Sequence, residues 1–419
     1  MAESQISSEP IRESNLTRKI RQTLAVTGMT RKTRLPHSQE ERTLDERFER
    51  GEMFRILKRI LRKRAIATTD EEKVIWNQRL HAAMEISRDL KSNLDTLNRQ
   101  YYSPEYMQFV PVEVLGEQVG IPVRRYSLRD KNATPEDKVP PIIVIGGATS
   151  GPNVTKSTAE AWALQYPNRD VYVIGYPDSN KSQISEALPG KMKEQGDFST
   201  YTKINKDVLL KMGFEKFDLV GISMGGGIAL QAATDTEFAG RINNLVAISP
   251  TSVQETKGKI SYASKFAWEV LNIRVHPQQW LRVPQKQLGP GYKLGSHKGM
   301  GNSVSGEISR HKSLSENDLA GLHVQGRVII GAGEKDAVIS CEQIKKETTA
   351  ANEKRAANGE RPIEFMEVQG GHHSLGDAYA AGIVALIRHT DVLPNKIHVS
   401  QLENSTAKVL VSEKIFNLG

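Results

Sequence analysis

The sequence predicts an α/β protein built on a mostly parallel sheet with helices on both faces. Short, continuous apolar runs at residues 141–145, 171–174, 217–220, 245–249 and 327–330 recur with helical stretches between most of them. Strands covered on both faces need such runs, and alternation with helices at this spacing implies right-handed crossovers. The third run feeds through Gly221-Ile222-Ser223-Met224-Gly225 directly into a helical stretch, 226–233. That is the layout of a sharp strand-to-helix turn carrying a serine.

Composition sets the bounds. A chain of 419 residues fits one large domain with an appendage. Mean hydropathy is −0.46, and no run approaches the length of a membrane span. The N-terminus lacks the basic-then-apolar layout of a secretory signal, and Glu3 and Glu9 argue against a transit peptide. Cys341 is the single cysteine, which excludes intrachain disulfides and multi-cysteine metal sites and gives a cytoplasmic expectation. The net charge of +8 is modest for this length, so nucleic acid is not an expected partner.

Taken in order, residues 1–43 are polar and without apolar period, the composition of a loosely ordered segment. Residues 44–66 place Phe48, Met53, Ile56, Leu57, Ile60 and Leu61 at helical spacing among six basic residues, Arg55, Lys58, Arg59, Arg62, Lys63 and Arg64. Thr69-x-x-Glu72 is a capping box opening a second helix to about residue 99. Its apolar seam recurs every seven residues, at Trp76, Ala83, Leu90 and Leu97. Residues 44–105 therefore read as a helical hairpin arm. Packing on a neighbour is its plainest use; self-association, a protein partner or an anionic surface contacted through residues 44–101 is the sharper one.

Residues 109–115 and 122–128 alternate around Gly116 and Gly120, as in an antiparallel pair. The apolar runs follow, with helices expected at 156–166 and 200–212, a strand at 365–368 and a last helix at 377–388. The core is thus expected at 106–250 and 321–389. Residues 251–320 interrupt the rhythm between two strands, over the ends where such sheets bind ligands, and read as a lid. The tail, 390–419, shows only a weak strand-like run at 408–411.

A nucleophile at Ser223 needs a base and an acid to hold that base, on loops after later strands. Both loops exist in the sequence. The run at 328–330 leads into Gly331-Ala332-Gly333-Glu334-Lys335-Asp336, and the run at 365–368 into Gln369-Gly370-Gly371-His372-His373. Serine, aspartate, histidine is one of the chain orders in which the triad occurs. Cys341 reads as a small buried residue, and His297 and His311 as lid residues. His372 and His373, being adjacent, do not converge on one metal ion.

These motifs resemble the α/β-hydrolase superfamily over roughly residues 109–389: Gly146-Gly147-Ala148 after a strand, Gly221-x-Ser223-x-Gly225, Gly333-Glu334-Lys335-Asp336-Ala337-Val338, and Gly370-Gly371-His372-His373. The resemblance implies Asp336, not Glu334, as the acid, and His372 in preference to His373 as the base. It also implies an oxyanion hole from the N–H groups of Met224 and Ala148, with Gly147 next. Two positions depart from the family pattern: Gly146-Gly147 stands where a His-Gly pair is frequent, and Tyr176-Pro177-Asp178-Ser179 where a glycine-rich turn is frequent. The implied activity is that of a serine hydrolase of the esterase, lipase or thioesterase type on a small acyl substrate. No cofactor or metal is implied. Phe266, Trp268 and Leu271 of the lid would line the acyl pocket. The alternatives are a non-catalytic scaffold working through its helical arm, and a peptidase or acyltransferase on the same fold.

Overall fold

The computed structural model describes residues 44–129, 139–147, 156–177, 182–253, 314–373 and 375–402, with side chains from Met53 onward. The expected 1–43 segment, residues 254–313 of the expected lid with Phe266, Trp268 and Leu271, and the run at 408–411 lie outside the described residues. Of the described residues, 46–92 form one compact unit and 93–402 belong to another.

The first unit is a helical hairpin, Leu44–Ile66 and the first part of Asp70–Tyr102. The capping box forms: the Glu72 N–H donates to Thr69 Oγ1 (3.1 Å) and the Thr69 N–H to Glu72 Oε2 (3.4 Å). Met53, Leu57, Ile60, Leu61, Ala83, Ile86 and Leu90 are buried, the stripe that the helical spacing requires.

The second unit is a nine-stranded sheet in the order β1-β2-β4-β3-β5-β6-β7-β8-β9. Its strands are β1 Met107–Val114, β2 Glu117–Tyr126, β3 Ile142–Ile145, β4 Val171–Ile174, β5 Phe217–Ile222, β6 Ile242–Ile248, β7 Val328–Gly333, β8 Glu364–Gln369 and β9 Lys396–His398. β1 pairs antiparallel with β2 and β2 with β4; every other pairing is parallel. Every residue of β3, β5 and β7 is buried, as strands with both faces covered must be. Helices Lys156–Gln165, Phe198–Lys211, Met224–Ala233, Cys341–Ala357 and Ala380–His389 connect the strands or follow them. Burial of each large side chain, such as Phe217, Leu219 or Ile330, contributes about 1.5–3 kcal/mol.

The amino ends of the parallel strands are held by a buried polar cluster. Asp218, at the start of β5, accepts from Arg169 Nη1 (2.6 Å), Asn243 Nδ2 (3.0 Å) and both the side chain (3.0 Å) and backbone (3.2 Å) of Asn244. Arg169 also donates to the Pro140 and Pro141 carbonyls. With one end of the sheet fixed in this way, chemistry is left to the carboxyl ends.

Two boundaries differ from the sequence expectation. Residues 93–102, read as part of the arm, belong to the sheet unit. Gln100 explains this: it donates to the Ser127 carbonyl (2.6 Å) and accepts from the Ser127 N–H (2.8 Å), while Arg124 Nη1 donates to the Gln100 carbonyl (2.8 Å). The tail contributes β9, whose one buried residue, Ile397, left too small an apolar signal to read.

Candidate active site

The glycines of the elbow are required by close approach. A Cβ at Gly221 would lie 2.3 Å from the Gly225 carbonyl oxygen, and one at Gly225 would lie 2.1 Å from that of Ile145. The first turn of helix Met224–Ala233 is thereby pressed against the end of β3, and the Gly225 N–H donates to the Gly146 carbonyl (3.0 Å). Ser223 takes φ 55° and ψ −118°, a conformation that disfavours any side chain. It persists because both of its backbone groups are held: the Ser223 N–H donates to Ile248 (2.8 Å), and its carbonyl accepts from the Thr251 N–H (3.2 Å). Ser249, directly after β6, also has positive φ (46°), so the segment bracing the elbow is itself strained.

Three side chains from three loops meet here. Ser223 Oγ lies 2.9 Å from His373 Nε2, and His373 Nδ1 lies 2.9 and 3.2 Å from the two Asp336 oxygens. Asp336 Oδ1 also accepts from the Val338 (2.9 Å) and Ile339 (2.7 Å) N–H groups, which hold the carboxylate in place. The Asp336 side chain is 0% exposed and that of His373 10%. A carboxylate only accepts, so Nδ1 carries the imidazole proton and Nε2 is left to accept from the Ser223 hydroxyl.

The histidine on Ser223 is His373, which corrects the expectation of His372. The glycine turn is pinned to the acid loop, and the pinning sets the count. Gly370 adopts φ +73°, and its N–H donates to Glu334 Oε2 (2.9 Å). The Lys335 N–H donates to the Gly371 carbonyl (2.8 Å), and a Cβ at Gly333 would lie 2.4 Å from that oxygen. With Gly371 fixed against Gly333, the residue two further on reaches Asp336. His372 is buried beside it, and its carbonyl accepts from the Leu375 N–H (3.1 Å) at the start of the next helix. Glu334, passed over as the acid, holds the turn that presents His373.

Of the expected oxyanion donors, Met224 opens the helix behind Ser223, in the first turn, where N–H groups have no intrahelical acceptor. Gly147 sits in the bend directly after β3, and Ala148 lies outside the described residues. Sequence reasoning missed the residue that holds this bend. Tyr176, buried after β4, donates from its hydroxyl to the Gly146 carbonyl (2.5 Å) and packs edge-on against Tyr201. A bulky aromatic in the stretch that departed from the family's glycine-rich turn was the available signal.

Among the described residues, no group of three His, Cys, Asp or Glu side chains could hold a metal. Burial raises the Cys341 thiol to about 11, so it stays neutral near physiological pH.

The family model described as the alpha/beta hydrolase fold matches residues 140–283. No match was found among curated proteins. Similar solved structures include carboxylesterase CesB from Bacillus subtilis, 19% identical, covering 73% of this chain and 97% of that one, with TM-score 0.40. A meta-cleavage product hydrolase from Pseudomonas fluorescens is 12% identical, covers 67% and 96%, and has TM-score 0.46. The thioesterase domain of the curacin biosynthetic pathway is 14% identical, covers 67% and 99%, and has TM-score 0.42. At these identities and TM-scores the three say nothing about the reaction. The match over residues 140–283, the mostly parallel sheet and the serine elbow between β5 and its helix show that this chain has the α/β-hydrolase fold.

Proposed function

We propose that the protein is a serine hydrolase that cleaves an ester or thioester through an acyl-enzyme on Ser223. The observation that carries this reading is the unbroken hydrogen-bond chain Ser223–His373–Asp336 at the carboxyl ends of the strands. As Ser223 Oγ attacks the acyl carbonyl, His373 Nε2 takes its proton, and Asp336 stabilises the imidazolium that forms. In this reading the Met224 N–H, with a second N–H from the segment after β3 such as that of Gly147, holds the oxygen that becomes negative. His373 then protonates the departing alcohol or thiol. Water, deprotonated by the same nitrogen, attacks the acyl carbon, and the proton returns to Ser223 as the acid leaves.

Fluorophosphonate labelling tests the proposal directly. The wild type and His372→Ala should label, while Ser223→Ala should not and His373→Ala should lose at least about a thousandfold in rate. Failure of the folded wild type to label overturns the hydrolase reading. Normal labelling of His373→Ala overturns the base.

A further inference from the structure

The helical hairpin, residues 46–92, has no part in the chemistry proposed above, and its tip is unlike the rest of the described surface. Ile66, which ends the first helix, is 70% exposed. Val74 and Ile75, in the opening turns of the second helix, are 53% and 46% exposed. Three of the seven exposed large hydrophobic residues among the described residues therefore fall within ten positions of one another, around one interhelical link. Trp76 follows, half-buried, with the Arg79 guanidinium 4.9 Å from its ring centroid.

Towards this apolar tip the last part of the first helix carries only positive charge. From Met53 to Ile66 it holds Arg55, Lys58, Arg59, Arg62, Lys63 and Arg64 and no acid. Arg59, Arg62, Lys63 and Arg64 are exposed and form no ion pair among the described residues. The next acids along the chain are Asp70, Glu71 and Glu72, all in the first turn of the second helix. Two of these are engaged locally. Glu72 accepts from the Thr68 (2.9 Å) and Thr69 (3.4 Å) N–H groups, which hold its carboxyl below the ordinary range, and Asp70 pairs with Lys73 (2.8 Å). All three sit where the helix N-terminus already favours negative charge.

We propose that the hairpin tip is an anchor for an anionic lipid surface. Ile66, Val74 and Ile75 enter the headgroup region, Trp76 lies at the interface, and Arg59, Arg62, Lys63 and Arg64 engage the lipid phosphates. A bilayer is the one occupant that takes exposed apolar side chains and a collar of cations together without requiring a shaped pocket. A protein partner would need an acidic groove matched to a convex tip. A second copy would bring the same positive charges face to face. The proposal stands on the hairpin alone, independent of the acyl chemistry.

Co-sedimentation of the full chain with vesicles tests it. The wild type should bind vesicles of phosphatidylcholine with added phosphatidylglycerol and be released by salt, while vesicles of phosphatidylcholine alone should retain little. The charge variant Arg62→Gln/Lys63→Gln/Arg64→Gln and the apolar variant Ile66→Ser/Val74→Ser/Ile75→Ser should each weaken anionic-vesicle binding at least about tenfold. Both should keep the wild-type fluorophosphonate labelling or, should the hydrolase reading fail, the wild-type circular dichroism melt. Equal binding to both vesicle types, wild-type binding by either variant, or no binding by the wild type overturns the proposal. So does self-association that the apolar variant abolishes while vesicle binding persists.

Discussion

At the scale of single residues, the site depends on groups whose work is to hold other groups. Tyr176 fixes the Gly146 carbonyl, which also accepts from Gly225 in the helix after Ser223, and Gly147 sits in the bend that follows. Tyr176→Phe removes only the hydroxyl, so the ring keeps its packing on Tyr201 and the fold should survive. The lost hydrogen bond loosens the bend where negative charge would develop, so kcat should fall by about tenfold with KM little changed, well short of losing a whole oxyanion donor. Steady-state kinetics on a short-chain ester measures this; a change in KM alone would make the tyrosine a substrate wall instead. Cys341 offers a second test at this scale. Its folded-state value of about 11 leaves less thiolate near neutral pH than the ordinary 9.0 does. Alkylation by iodoacetamide should therefore run about a hundredfold slower in the native protein than in urea, and comparable rates would show the thiol to be accessible and ionised.

At the scale of elements, the far edge of the sheet is tied by one charged fork. Arg327, immediately before β7, donates from Nε and Nη2 to the two Glu364 oxygens (2.6 and 2.7 Å) and from Nη1 to the Ile387 and Thr390 carbonyls. Burial would raise the Glu364 carboxyl, but the Arg327 fork and the Leu393 N–H outweigh it and hold it below the ordinary 4.5. A depressed folded value means the stabilisation is present above the unfolded value and is lost as pH falls through the folded one. Glu364→Gln should thus cost about 1–3 kcal/mol near neutral pH and little well below pH 4, a difference that urea denaturation at the two pH values will read. An equal loss at both would assign the effect to packing. The elements themselves were legible wherever an apolar period was strong: β3 and β4 fall within a residue of their expected bounds, as does the helix Leu44–Ile66. Those missed had weak periods. Helix Cys341–Ala357 buries only Ile344, Thr348, Ala351 and Arg355, and helix Leu188–Gln195 carries Pro and Gly in its first turn. In the site, Ser223 and Asp336 were legible because each follows its own strand in a glycine turn. The choice between His372 and His373 was not, because it depends on where Gly371 locks against Gly333.

At the scale of the whole molecule, one helix belongs to two compact units. Asp70–Tyr102 is continuous, yet its first part lies in the hairpin unit and residues 93–102 in the sheet unit. Inside the sheet unit its last turns meet a buried cluster. Lys156 Nζ donates to Asn98 Oδ1 (2.8 Å), lies 3.3 Å from Glu160 and sits 4.4 Å from the Tyr101 ring centroid, while Gln100 holds both backbone groups of Ser127. The Lys156 and Glu160 side chains are 4% and 6% exposed, so opening this end of the helix would strand a buried ion pair. Among the described residues nothing comparable restrains the tip, where residues 70–75 are all exposed. Native-state hydrogen exchange should therefore divide one uninterrupted helix. Amides of residues 93–102 should open only with the sheet, at the free energy of β3 and β5, whereas those before about residue 80 should open earlier and separately. Asn98→Ala should bring the last turns down toward the hairpin without altering the first. Uniform protection along all 33 residues would mean instead that the helix opens as one unit and that the two-part division has no energetic counterpart.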